Sequence, residues 1–161
     1  MDQEHPAAIE LRPATDDDIP AIVELIRVAF AEYEGRLDPP SSAQHKTVAA
    51  TRAELADGGG FVLNDGGRLV GCVFYHPHGD HMYLDRLSVL TGYRGQRLSR
   101  RLIDAVEDLT RSSGISRVRL SVRLALTENR AYYERLGYAF HEHGTHAGYP
   151  EPTYVKLEKV L

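Results

Sequence analysis

The 161-residue chain has a single cysteine, Cys72. One thiol cannot close an internal disulfide, so the fold is not cystine-stapled and a reducing compartment is the simpler reading. Long apolar runs are missing too, and no stretch approaches the roughly 18–20 residues that a membrane span needs. The opening Met1-Asp2-Gln3-Glu4-His5-Pro6 is acidic and lacks the charged-then-apolar order of a secretory signal. Charge of neither sign dominates. Nineteen Lys and Arg against 23 Asp and Glu leave a net −4 with histidine neutral, which gives no global attraction to nucleic acid or to an anionic membrane. There is no internal repeat, no Ser/His/Asp hydrolase signature and no dinucleotide glycine fingerprint. What remains is 42% apolar and 26% charged, a globular balance that argues against wholesale disorder. The expectation is one soluble, cytoplasmic domain over residues 1–161, with a flexible segment at 1–8.

Periodicity switches several times between 2 and 3.6 along the chain. Ile9–Arg12 alternates like a strand and stops at Pro13. Thr15 and three aspartates then offer a cap and an acidic first turn, and Ile19, Ile22, Val23, Ile26 and Phe30 recur at helical spacing. This predicts a helix over 16–34. A more polar helix follows over 43–57. Phe61–Leu63 and Arg68–Tyr75, joined by Asn64-Asp65-Gly66-Gly67, read as a hairpin, because those residues accept positive φ. His81–Leu90 is the next strand. Leu98, Leu102, Ala105, Val106 and Leu109 form one face of a helix that Gly114 ends. Val118–Val122 alternates cleanly, 127–136 is helical, and 138–143 and 153–160 are final strands. The order βααβββαβαββ, with a strand–helix–strand step inside antiparallel runs, predicts an α/β (α+β) fold: a mixed, mostly antiparallel seven-stranded sheet flanked by helices.

One stretch concentrates chemistry. Leu87-Ser88-Val89 runs into a loop, Tyr93-Arg94-Gly95-Gln96, which opens the helix beginning Arg97-Leu98-Ser99-Arg100-Arg101. The first amides of a helix lack internal partners and the helix dipole is positive there, so such a terminus binds phosphate, and four arginines strengthen the field. A solvated surface helix carrying ordinary arginines fits the same residues.

The stretch LSVLTGYRGQRLSRRLI resembles the acyl-CoA-binding motif of the GNAT family of N-acetyltransferases, Arg/Gln-x-x-Gly-x-Gly/Ala after a Tyr-Arg-Gly lead. Arg94 matches the first position. Arg97 stands where the family has Gly, Ser99 where it has Gly or Ala, and Leu90-Thr91 lacks the frequent proline. A second block, Asn129-Arg130-Ala131-Tyr132-Tyr133-Glu134-Arg135-Leu136-Gly137-Tyr138, resembles the family's Asn-x-x-x-Tyr-Glu-x-Leu-Gly-Phe/Tyr segment. The resemblance spans the chain from Ile9 on and implies an acyl-CoA N-acyltransferase fold with acetyl-CoA as co-substrate. It implies backbone pairing of the pantetheine arm along Leu87, Ser88 and Val89, and phosphate contacts from Arg94, Gly95, Gln96, Arg97, Leu98 and Ser99. It also implies a contact from Asn129, Tyr133 as the acid that protonates the departing thiolate, and Asp85 where the family often has a base. The solvated-carboxylate reading of Asp85 is the more ordinary one.

Most of the eight histidines fall in two groups, His76, His78 and His81, and His141, His143 and His146. No cysteine or carboxylate spacing completes a tetrahedral site, so polar surface is the better reading and no metal is expected. Under the resembling fold the 76–81 turn lies at the sheet end away from the chemistry. His146 and Tyr149 then flank the acceptor cleft, as do Glu32 and Tyr33 between the first two helices. Carboxylates there suit a cationic amine, or simply solvate a loop. Cys72, beside Gly71 and Val73, reads as a small core residue. The expected activity is acetyl transfer to a primary amine of a small molecule or peptide, with no nucleic-acid or membrane partner and a homodimer left open. The competing readings are a non-catalytic acyl-CoA sensor and nucleic-acid binding through Arg94–Arg101.

Overall fold

The structure, a computed structural model, describes residues 8–161. The segment expected to be flexible, 1–8, therefore lies almost wholly outside the described residues. Strand β1 (Glu10–Pro13) leads into α1 (Ile19–Phe30) and α2 (Val48–Ala56). Strands β2 (Gly59–Asp65), β3 (Arg68–His78) and β4 (His81–Val89) follow, then α3 (Leu98–Ser112), β5 (Arg117–Arg123), α4 (Thr127–Arg135), β6 (Ala139–Gly144) and β7 (Tyr154–Val160). The order is the one the periodicity predicts, and the seven strands form one sheet, β1-β2-β3-β4-β5-β7-β6. All neighbours run antiparallel except β4 and β5. Among the described residues no helix is long and apolar enough to cross a membrane.

Each face of the sheet has its own core. Helix α1 places Ile22, Leu25 and Ile26 against Val62, Cys72 and Phe74 on one face. On the other, α3 sets Leu98, Leu102, Ile103 and Val106 against Leu63, Val70, Leu84, Val118 and Leu120. Each such side chain contributes about 1.5–3 kcal/mol when fully buried. Cys72 is buried in the first of these clusters, and desolvation pushes its thiol up to about 12, so it packs as an apolar group. The β2–β3 turn needs the positive φ of Gly66 (+58°) and Gly67 (+98°), and Asn64 Oδ1 accepts the Gly67 N–H at 3.1 Å.

Both predicted N-terminal helices are shorter than their apolar pattern. Asp16–Asp18 and Ala31–Tyr33 are tight 3₁₀ turns on either end of α1. At the front, the Asp18 carboxylate takes the Thr15 N–H at 2.8 Å and both Arg12 Nη groups at 2.7 and 2.8 Å, which fixes the chain before the helix begins. The second helix splits at Lys46 and Thr47. Lys46 is drawn inward to Glu54 (2.6 Å), and Thr47 restarts the chain as the cap of α2.

What shapes the middle of the sheet is β4. Cys72 pairs with Ser88 and Phe74 with Asp85, so two residues of β4, Arg86 and Leu87, stand opposite Val73 alone. This is a bulge, with Arg86 at φ +54°, and a bulge bends its strand. Strands β4 and β5 accordingly pair only at Met82–Val118 and Tyr83–Arg119 before they diverge.

Candidate active site

The divergence leaves an unpaired strand edge inside the sheet. The Leu90 N–H donates to Val70 O of β3 at 2.9 Å, so by strand alternation Leu87 and Val89 turn their backbone groups toward the gap. Val89 O confirms the direction, since it accepts from Arg94 Nε at 3.3 Å. An extended chain carrying amides can pair there as an added strand.

At the end of that edge the chain makes a 3₁₀ turn, Thr91–Tyr93, pinned by Tyr93 Oη donating to Asp65 at 2.6 Å. Gly95 (φ +81°) and Arg97 (φ +59°) then reverse the backbone into α3. The first helical bond belongs to Arg101 N–H, on Arg97 O at 3.2 Å, so the amides of Leu98, Ser99 and Arg100 have no helical partner. A cleft of about 440 Å³ opens here. Its walls include Leu87, Val89, Arg94, Gly95, Arg97, Leu98, Ser99 and Asn129, which are eight of the ten residues expected to hold the cofactor. Gln96 is exposed and outside this lining, and Ser88 is buried with its hydroxyl on Arg86 O at 3.1 Å.

Across the cleft stands the turn that closes α1. Glu32 grips Arg94 with both oxygens, at 2.9 and 2.8 Å, and the neighbouring Tyr33 Oη accepts from Asn129 Nδ2 at 3.2 Å. The hydrogen bond from Arg94 holds the Glu32 carboxyl below its ordinary range. Glu32, expected on the acceptor side, therefore lines the cofactor cleft alone, whereas Tyr33 beside it reaches both cavities. Tyr132 is the neighbour of Tyr133 on α4. It too lines the cleft, and its hydroxyl meets Ser99 Oγ at 2.7 Å.

A second groove, of about 690 Å³, meets the cleft at Tyr33, Leu87, Val89, Arg94, Leu126, Asn129 and Tyr133. Tyr133 packs edge-on between Tyr132 (5.6 Å) and Tyr138 (5.9 Å), and its hydroxyl makes no hydrogen bond among the described residues. Burial pushes that phenol up, with smaller contributions from Tyr132, Tyr33 and Asp85, so it holds its proton through the neutral range. Asp85 lies on the groove wall, its Oδ1 accepting the Arg86 N–H at 2.9 Å. Tyr83 donates to Ser121 across the opening strands at 2.9 Å.

The acceptor side differs in part from expectation. His146 lines the groove, but its ring is tied to Thr153, and desolvation, then the charge of Arg123, lowers its pKa. Tyr149 is outside the lining and instead donates its hydroxyl to Asp38. The 76–81 turn is not remote: His78 and His81, stacked at 5.6 Å, form part of the groove wall. Strand β4 carries His81 there because residues 81, 83 and 85 share one face, and His78, the last residue of β3, pairs with it. Arg86, Arg123 and Lys156, unnoticed in the sequence, also line it. Among the described residues no three His, Cys, Asp or Glu side chains converge as metal ligands.

The sequence pattern described as the acetyltransferase (GNAT) family matches residues 19–138. A protein of Azospirillum brasilense named IAA acetyltransferase is 30% identical over 144 residues, spanning 88% of this chain and 91% of its own length. The PaiA N-acetyltransferase of Thermoplasma acidophilum, solved in complex with coenzyme A, superposes with a TM-score of 0.82 at 18% identity, over 96% of this chain and 99% of that one. A GNAT acetyltransferase of Elizabethkingia anophelis, solved with acetyl-CoA bound, gives 0.72 at 15% identity over 96% and 99%. By its matched sequence as well as by the open strand edge that runs into α3, the chain belongs to the GNAT family of acetyltransferases.

Proposed function

We propose that this protein is an acetyl-CoA-dependent N-acetyltransferase that acylates a primary amine of a small molecule or peptide, with both substrates bound together. The observation that carries this reading is the meeting of two cavities at one point. The cleft along the free edge of β4 and the groove on the opposite side share Leu87, Asn129 and Tyr133. The residues present fit the cofactor: a strand edge for the amides of its arm, and unpartnered α3 amides with Arg94 and Arg97 for its phosphates. Acetyl-CoA supplies an activated thioester when bound. The name of the Azospirillum relative, IAA acetyltransferase, supports the acyl transfer.

The chain's own residues then have separable tasks. The Leu87 and Val89 backbone holds the arm in register, and a gap-facing N–H is placed to polarise the acyl carbonyl. The amine nitrogen forms its bond to the acyl carbon as the carbon–sulfur bond breaks. Tyr133 donates the proton that the leaving sulfur takes, and Asp85 receives the proton the amine gives up, directly or through water. A thiol of ordinary pKa near 8.5 needs only modest help of this kind.

The test is twofold. Acetyl-CoA at 100 times its dissociation constant should stabilise the fold by about 2.7 kcal/mol, a readable melting shift. Release of free coenzyme A thiol is then followed across amino acids, polyamines, aminoglycosides and peptides. A melting shift without turnover of any amine supports the sensor reading; no shift at millimolar acetyl-CoA defeats both.

A further inference from the structure

Resting on the acetyltransferase reading, the acceptor groove says something about the amine. We infer that Arg86 and Arg123 form a carboxylate-binding site, and that the acceptor is a small aminocarboxylate, not a polyamine or other purely cationic amine.

Charge pairing in the groove is uneven. Lys156 is matched by Glu142 at 3.2 Å, and Arg94 by Glu32 at 2.8 Å. Arg86 and Arg123 have no carboxylate within ion-pair distance among the described residues. Their partners are neutral. Arg86 donates Nη2 to Ser42 Oγ and lies 5.9 Å from the Phe30 ring centre, and Arg123 donates Nη1 to Pro39 O at 2.7 Å. Arg86 Nε is enclosed and has no partner at all among the described residues. An enclosed donor left unmade is costly, and the half-buried charges of Arg86 and Arg123 are left without a counter-ion.

The two cations also oppose each other. Burial lowers the Arg123 pKa, and the Arg86 charge adds to that, while Tyr149 and Asp38 work the other way. Neither nearby carboxylate ion-pairs with these arginine side chains: Asp38 accepts from the Tyr149 hydroxyl, and Asp85 accepts the Arg86 backbone N–H. An anion between the guanidinium groups relieves this repulsion. Each arginine has already committed part of its fork, so the donors left over suit the two oxygens of a carboxylate better than the three of a phosphate.

The bulge explains why the site sits where it does. It turns Arg86 at φ +54° to Ser42 in the loop after α1, while Asp85 and Leu87 on either side line the groove. A ligand anchored at Arg86 and Arg123 thus presents its amine toward Asp85 and Tyr133.

The experiment compares acids with their own amides. Coenzyme A release is measured for a series of amino acids, the matching carboxamides, the matching aminophosphonates, and a polyamine. The acids are expected to exceed the amides at least tenfold in kcat/KM, mostly through KM. Arg123→Gln and Arg86→Gln should each bring that ratio to near one, while the acetyl-CoA melting shift of the same variants stays at the wild-type value and reports an intact fold. Arg123→Lys should keep part of the preference. Amides or the polyamine reacting as well as the acids would overturn the inference while leaving the acetyltransferase reading intact, and a preference for phosphonates would overturn the carboxylate assignment. Should acetyl-CoA bind with no amine turned over, melting shifts in the presence of coenzyme A decide: acids must stabilise where amides do not, and equal responses overturn it. Absence of any acetyl-CoA shift is the separate failure of the underlying function.

Discussion

At Arg97 the backbone and the side chain have opposite requirements. A left-handed conformation at φ +59° costs an ordinary residue about 1–2 kcal/mol, which glycine avoids. The side chain, in return, stands on the wall of the cofactor cleft beside unpartnered amides. Arg97→Gly should therefore raise the melting temperature of the free protein and weaken acetyl-CoA, with acetyl-pantetheine, which lacks the nucleotide, nearly unaffected. Tighter acetyl-CoA binding in that variant would mean the arginine obstructs the cleft. The tyrosine pair separates in the same way. Tyr133→Phe keeps the ring that packs against Tyr138 and removes the proton donor, so turnover should fall by about 10²–10⁴-fold with cofactor affinity kept. Tyr132→Phe removes the hydroxyl on Ser99, so it should loosen acetyl-CoA a few-fold and leave kcat near normal.

Elements, more than single residues, set what the sequence can disclose. The element order and the α3 terminus were legible, because apolar periodicity and a strand-to-helix turn are local signals, while the edge of β4 at 87–89 came only as what the resemblance of the 93–99 and 129–138 motifs implies. Arg86, Arg123 and Lys156 were not. Their meeting depends on the β4 bulge and on β5–β7 register, neither of which any short window of sequence specifies. The end of α1 was missed for a similar reason. Its pattern runs on, but the final turn tightens, and this puts Glu32 and Tyr33 across the cleft against Arg94 and Asn129. That turn competes with the cofactor's phosphates for Arg94. Glu32→Gln should lower the acetyl-CoA dissociation constant several-fold by calorimetry, and a weaker complex would show instead that Glu32 organises the arginine for binding.

For the molecule as a whole, a buried carboxylate ties α3 to the second half of the sheet. Glu107 of α3, buried, takes the Tyr138 hydroxyl at 3.0 Å and Lys159 Nζ of β7 at 2.9 Å. Glu107→Gln strands a cation beside a buried phenol and should cost about 2–4 kcal/mol by denaturant titration. Acid acts at Asp18. Asp18, its pKa brought down to about 2 mainly by Arg12, is more acidic folded than unfolded (3.8), so its share of stability is present above pH 4 and drains as pH falls toward 2. That share is about 2 kcal/mol, and Asp18→Asn should flatten the acid limb of the stability curve. The gap between β4 and β5 has a last consequence, in isotope exchange. Leu87 and Val89 carry backbone hydrogens in the middle of a seven-stranded sheet, yet their neighbour across the gap is missing. In heavy water they should take up deuterium as readily as an outer edge does, while Leu90, bonded to Val70, stays protonated far longer. An extended ligand lying in the gap would restore the missing rung, and the uptake at those two positions would fall silent together.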